Sequence, residues 1–421
     1  MKKYLLLFIF CYSFAQQPGK IWYFGEHAGL DFNSGAAVAL TDGELTALEG
    51  TAAMCDADGN IMFYTEGKNV WNKDHQLMEN GTGLLSDFSA RQAAVIVPKP
   101  DSQTVSYIFT TDAPFISGGL GFHYSEVDMG LMEGLGAITS NKNIQLLPQT
   151  TEQLAVVRHS NNSEMWVITH TFPGNSFYVY KVTASGVDTV PIISNVGFDL
   201  QNALDSVGTI KVAPSGDKIA VCLGESGVQL LDFNPATGVI SNPVNITGNT
   251  MLYDVEFSPS GNLLYTAHNI STEVVQYNLL AADIPASAVS IWCCISDTTG
   301  GAILRAPDGK IYHSSLSGFS VIHNPDIVGA GCNYEENAVN LNGGVVKLGL
   351  CASMQLLPAG PDFNFQAVNL CLGNSTSFFI VGPGPDSVTW DLGDGVTSTE
   401  FNPSHAYAAS GTYTVTVTII L

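Results

Sequence analysis

Arg158, His159 and His170 form the densest cluster of titratable side chains in the sequence. They flank one predicted hairpin, so convergence at one face of the fold would let two imidazoles and a guanidinium hold an anion or move protons near neutral pH. Loop support and strand capping are the other roles open to the same residues. A second group sets Glu26 and His27 beside Trp22 and Tyr23. A carboxylate next to aromatic rings suits sugar binding by stacking and hydrogen bonding, and it also suits an ordinary turn packed on a core. Asp56, Asp58 and Asn60 superficially resemble the opening of a calcium loop, but Gly59 and the missing downstream bidentate Glu break that pattern. Asp391 and Asp394 offer oxygens either to calcium or to the cap of a turn. No cofactor is expected, and calcium is the one candidate ion. The chain has no Gly-x-Ser-x-Gly elbow, His-Glu-x-x-His helix or phosphate loop. Glycosidase chemistry needs two carboxylates at a fixed separation, and among the 38 acidic residues no pair stands out.

The elements that must position these groups are written in a repeated phrase. Ile210-Lys-Val-Ala-Pro-Ser-Gly-Asp-Lys-Ile219, Val255-Glu-Phe-Ser-Pro-Ser-Gly-Asn-Leu-Leu264 and Ile303-Leu-Arg-Ala-Pro-Asp-Gly-Lys-Ile311 each run an apolar strand into a Pro-Ser/Asp-Gly turn and a second apolar strand out of it. Weaker copies surround Asp56-Ala-Asp-Gly-Asn60, Pro98-Lys-Pro-Asp-Ser102 and Ser160-Asn-Asn-Ser163. Taking Gly59, Ser102, Asn162, Gly216, Gly261 and Gly309 as markers, the spacings are 43, 60, 54, 45 and 48 residues. Four-stranded propeller blades recur at about 40 to 50 residues, so the longer intervals imply inserted loops. Ile21-Trp-Tyr-Phe24 and Gly29-Leu-Asp-Phe32 at one end, with Ala338-Val-Asn-Leu341 and Met354-Gln-Leu-Leu357 at the other, are left to make one more blade. Closing the ring with both ends removes exposed strand edges, and about seven blades are expected.

Composition agrees with an all-β chain. Of 421 residues 42 are Gly, 10% are aromatic and only 13% are charged. The net charge of -23 repels phosphate backbones and anionic lipid heads, which argues against a nucleic-acid partner. Lys2-Lys3, the apolar Tyr4 to Phe10 and Ser13-Phe14-Ala15 read as a secretory signal over residues 1–15. That apolar run is too short to span a bilayer, and no membrane insertion is expected. Export permits disulfides, and of the seven cysteines beyond the signal Cys332 and Cys351 are the expected pair, because they flank the segment that closes the ring. The adjacent Cys293 and Cys294 lack metal-site spacing and read as buried strand cysteines.

A domain boundary is expected at Pro358-Ala-Gly-Pro361, with the propeller over 16–360 and a small β-sandwich over 361–421. In its closing strand Tyr413, Val415, Val417 and Ile419 share one face and four threonines the other. Trp390 is the expected core aromatic, Asp394-Gly395 the turn and Tyr407 a corner residue. Trp390-Asp-Leu-Gly-Asp-Gly395, Asn402-Pro403, His405-Ala-Tyr407 and Gly411-Thr-Tyr-Thr-Val-Thr-Val417 closely resemble the PKD (polycystic kidney disease) domain, an immunoglobulin-like module of extracellular proteins. The remainder resembles the WD/YVTN-like propeller of PKD-containing exported proteins from gliding Bacteroidota-type bacteria, through Trp22-Tyr-Phe-Gly-Glu-His-Ala-Gly-Leu-Asp-Phe32, Ala94-Val-Ile-Val-Pro-Lys-Pro100, Val157-Arg-His159, Trp166-Val-Ile-Thr-His170 and Gly329-Ala-Gly-Cys-Asn333. Such proteins commonly continue into a sorting domain read by type IX secretion machinery. Since this sequence ends at Leu421, either a longer protein or another route out of the cell is expected.

The resemblance implies a secreted or cell-surface binding or adhesion protein, with the PKD module as spacer or contact and an extracellular polysaccharide or cell-surface protein as partner. The competing reading is a propeller glycoside hydrolase or lyase. A convergent acid cluster at the mouth of the central channel points to the enzyme, and an aromatic-lined shallow face points to the binder.

Overall fold

The computed structural model describes residues 19–114, 119–248, 251–269, 271, 273–293, 299–316, 318–351, 364–368, 373–381 and 387–420. The signal-like segment, Met354 to Leu357 and Pro358 to Pro361 lie outside them. Two compact units divide the chain between Leu357 and Pro358. Among the described residues no helix is long and apolar enough to cross a membrane.

The larger unit is a β-propeller whose blades follow the repeated turns. In all six turns the marker residue donates its backbone N–H to the carbonyl three residues earlier, as Gly216 does to Ala213 at 2.9 Å and Gly309 to Ala306 at 3.0 Å. Gly59, Gly216, Gly261, Gly309 and Asn162 sit at φ between +61° and +87°, a conformation in which most side chains clash. In the Pro98–Ser102 turn the left-handed residue is Asp101, one position before the marker. Asp tolerates that region better than Ser, because its short carboxylate can bond locally.

Each turn joins the two inner strands of a blade, and the blades cover 52–82, 94–147, 154–200, 208–245, 252–292 and 300–335. The first two merge into one nine-stranded sheet through a single parallel pairing, Ala137 opposite Glu79. Their innermost strands, Ala52–Cys55, Ala94–Pro98, Leu154–Arg158, Gly208–Val212, Leu252–Phe257 and Gly300–Arg305, lie side by side in chain order. Each sheet buries both faces, so a separate apolar layer fills each gap between neighbouring blades.

The N-terminal sheet, with strands Ile21–Phe24, Ala28–Asp31 and Val38–Leu40, is the seventh blade. One apolar cluster joins it to both neighbours, packing Trp22, Phe24 and Phe32 with Tyr64 of the 52–82 blade and with Tyr312 and Phe319 of the 300–335 blade. The late segment closes this blade differently from expectation. Ala338 to Leu341 form no strand, since Asn337, Asn342 and Gly343 at φ of +51°, +53° and +108° break the extended run. Closure rests on two isolated bridges instead: Glu26 and Val345 exchange backbone hydrogen bonds of 2.8 and 2.9 Å, and Thr51 pairs with Cys351.

The expected Cys332–Cys351 disulfide is absent. Both thiols are free and buried, Cys332 in the layer between the last two chain-order blades and Cys351 in the ring-closing cluster. They occupy different inter-blade gaps, which separates them. Cys293 also departs from expectation, being exposed and disulfide-bonded.

The smaller unit pairs Asn364–Val368 with Thr376–Val381, and Ser387–Asp391 with both Thr397–Ser398 and Thr416–Ile420. Fully buried Trp390 packs with Phe378, Val388 and Leu392, and donates its indole N–H to the Glu400 carbonyl at 3.0 Å. Tyr407 fills the corner and donates to the Leu392 carbonyl at 2.8 Å. The alternation over 413–418 holds, with Tyr413, Val415 and Val417 half-buried and the threonines exposed. The regular strand begins only at Thr416.

Candidate functional site

The structure does not bring the expected site residues together. Arg158 and His159 end an innermost strand at the Ser160–Ser163 turn, while His170 ends the next strand at the far side of the blade. Arg158 pairs with Met165, so five residues, roughly 17 Å of strand, separate that pair from His170. The His170 imidazole is buried, hydrogen-bonds the Thr171 carbonyl at 2.7 Å and packs edge-on against Phe177. Burial drives its pKa down to about 4, so it is neutral at physiological pH. His159 accepts from the Asn161 N–H and lies over Trp166, which makes it a turn support. Burial lowers the pKa of Arg158, whose Nη1 reaches the Asn162 carbonyl at 3.4 Å.

The second group is structural as well. Trp22 has no exposed surface and stands edge-on to Phe32 and Tyr312, out of reach of any ligand. Glu26 pairs with Lys347 at 2.9 Å while its backbone holds Val345, so it fastens the ring closure. Asp56 accepts the N–H groups of Asp58 and Asn60, both at 2.9 Å, as a turn cap. Asp391 likewise accepts the Gly393 N–H, and Asp394 takes the His405 ring at 2.7 Å. Among the described residues no group of three His, Cys, Asp or Glu side chains is placed to hold a metal ion.

A polar cluster that local pattern did not reveal occupies the centre of the ring. Glu49, Arg91, Gln92, Glu152 and Gln153 immediately precede innermost strands, so their side chains converge where those strands begin. Arg91 donates to the carbonyls of Leu252 and Tyr253 at 3.0 and 2.6 Å, reaching a blade 161 residues further along the chain. Its guanidinium stacks on the Tyr253 ring at 4.1 Å. Gln92 both donates to the Ile210 carbonyl and accepts the N–H groups of Leu154 and Ile210, linking three blades. Beside them Lys211 contacts Asp254 at 3.1 Å and Glu256 at 3.6 Å. Asp254 and Glu256 in turn accept the N–H groups of Ile303 and Arg305 on the next innermost strand.

Burial sets the electrostatics here. Desolvation raises Glu152 to about 8 against the lowering pull of Arg91, so at neutral pH it is largely protonated. Glu49 is raised well above the usual carboxylate range by burial, and Glu152 and Asp254 add to the rise while Arg91 opposes it. Burial works against the Lys211 ammonium, but Asp254 and Glu256 outweigh it and hold its pKa above the ordinary value. Every acid in this cluster is at most 7% exposed. General acid–base chemistry requires hydrogen-bond reach to a substrate, whereas Glu152, Asp254 and Glu256 accept the backbone N–H groups of Arg91, Ile303 and Arg305. The sequence signal was a polar pair, Arg91-Gln92 and Glu152-Gln153, recurring just ahead of an inner strand.

Two accessible cavities lie off this axis. One of about 450 Å³ is lined by Asn202, Asp205, Glu225, Ser226 and Met251. A second of about 430 Å³ adjoins it through Ser226 and includes Phe198, Asn245, Thr247 and Pro285 in its wall. Both are walled by strand ends, short 3-10 turns and loops of the 208–245 blade and its neighbours.

Residues 379–421 match the family model of the PKD domain. The chain is similar to solved structures including a functionally unknown protein from Desulfotomaculum acetoxidans (14% identity, 79% of this chain and 97% of that one, TM-score 0.44). Others are the periplasmic gluconolactonase of Pseudomonas aeruginosa (12%, 85% and 97%, TM-score 0.41) and the β-propeller domain of Cps50 (Swd1) from Myceliophteria thermophila (10%, 70% and 92%, TM-score 0.43). No curated protein matches the sequence.

Proposed function

We propose that this chain is an exported binding protein, with the propeller as recognition scaffold and the PKD domain as spacer or interaction module. Its partner is an extracellular polysaccharide or a cell-surface protein. The observation that carries this reading is the fate of the channel acids: Glu49, Glu152, Asp254 and Glu256 are buried, the last three accept backbone N–H groups that tie neighbouring blades, and two open cavities lie elsewhere. The signal-like residues 1–15 and the disulfide at Cys293 support an oxidising, extracytoplasmic destination. A glycan array probed with residues 16–421, with product analysis run in parallel, tests it. Retention of a glycan without turnover is the expected result. Hydrolysis or elimination of any retained glycan would move the chain into the glycoside hydrolase or lyase class.

A further inference from the structure

The two adjoining cavities beside the 208–245 blade, which share Ser226, have a chemistry that specifies more than a generic sugar. Asp205 is 7% exposed, and its Oδ1 accepts both the backbone N–H of Ser226 at 3.1 Å and its hydroxyl at 2.8 Å. Its Oδ2 has no partner among the described residues, although the side chain lines the cavity. Glu225 repeats the arrangement: Oε2 accepts from the Asn202 amide at 2.7 Å, and Oε1 has no partner. No described Lys, Arg or His forms an ion pair with either carboxylate. Two carboxylates are thus fixed in orientation by neutral donors, with one oxygen each left for a ligand and no internal cation to balance them.

That geometry excludes uronates, sulfated sugars and phosphates, which would meet uncompensated like charge. The adjoining cavity adds apolar lining from Phe198, Ile246 and Pro285, and hydroxyl partners in Asn245 and Thr247. Each cavity falls in the size range of small-ligand sites.

We propose that this double cavity binds an amine-bearing glycan, a hexosamine chain whose ammonium lies at Asp205 and Glu225 while a neighbouring pyranose packs on Phe198 and Pro285. The assignment rests on the reading of the chain as a glycan-binding scaffold and names the ligand class of one site.

The test is titration calorimetry on residues 16–421 with a β-1,4-linked glucosamine tetramer, its fully N-acetylated counterpart and calcium chloride, for the parent and Glu225→Gln. The variant keeps the acceptor for Asn202 and removes only the charge, and its melting temperature is measured alongside. The expected result is that the tetramer binds the parent, that the acetylated tetramer binds at least about tenfold more weakly, and that Glu225→Gln raises Kd for the free-amine form about tenfold. Asp205→Asn is a second variant with the same expectation, since its Oδ1 still accepts from Ser226. Equal binding of the two tetramers, no binding of either, unchanged affinity in both variants, or calcium binding that needs Glu225 would overturn the assignment. If array glycans without amines are held equally by parent and variant, the scaffold reading stands and this site assignment falls. If the tetramer is bound through Glu225 and also cleaved, the ligand class stands and the non-catalytic reading falls.

Discussion

At the scale of single residues, the channel acids and the buried histidines give the propeller a pH profile whose sign can be worked out. Glu152, at about 8 in the fold against an ordinary carboxylate near 4.5, keeps its proton when folded, so the stability it lends is whole at low pH and lost as pH rises through 8. Glu49 acts in the same direction. His170 and His313, both pushed down to about 4 by burial, act oppositely: their contribution is whole above 6.5 and lost as pH falls toward 4. The two effects oppose each other between about 4.5 and 6.5, and only the carboxyl effect continues from 6.5 to 8. Stability of the propeller should therefore decline across that upper window, by about 1.4 kcal/mol per pH unit for each such carboxyl. Glu152→Gln, which cannot ionise, should flatten the decline, as read from melting temperatures at pH 6.5, 7.25 and 8. An equally steep decline in the variant would mean that Glu152 is already ionised in the fold.

At the scale of elements, the six hairpins were legible because their turn chemistry is local. Gly, Asn or Asp at positive φ, with Pro ahead of it in four of the six turns, writes each bend within five residues. The channel cluster was not legible, because the side-chain partners of Arg91 and Gln92 stand 62 to 162 residues away. Arg158, His159 and His170 misled for the reverse reason: sequence proximity ignored that a strand carries its two ends to opposite sides of a blade. Ring closure sits between these cases. The N-terminal strands announced themselves by pattern, but their partner at Val345 is a single bridge without strand periodicity. Gly25 permits that bridge, since at φ +61° a Cβ would stand 2.1 Å from the Val345 carbonyl oxygen. Gly25→Ala should part Glu26 from Val345 and cost the ring-closing blade at least about 1 to 3 kcal/mol. Hydrogen exchange should show faster exchange at the Glu26 and Val345 amides, and unchanged protection there would place the closure elsewhere.

At the scale of the whole molecule, the two units hold their cores by different means. Among its described residues the smaller one buries four side chains, Phe378, Val388, Trp390 and Leu392, so Trp390→Ala, at about 3 to 5 kcal/mol, removes most of what a domain of that size has. Calorimetry should lose the PKD transition in this variant and keep the propeller transition; a joint shift of both would mean a shared core. Asp394 adds a condition to that unit, because its hydrogen bond to His405 holds its carboxyl below the usual range and is lost as pH falls through that lowered value. The propeller by contrast is bound across its middle. Among the described residues the Arg91 guanidinium donates to the carbonyls of Leu252 and Tyr253, so a chain still being synthesised carries it without these partners until the fifth of six turn-marked blades has emerged. Early blades can pair their own strands as they appear, yet the hub stays open until then. The contacts that lock the hub are thus late and long-range in the chain, and a ribosome stalled before residue 252 holds five of the seven blades around a charged guanidinium still without those acceptors.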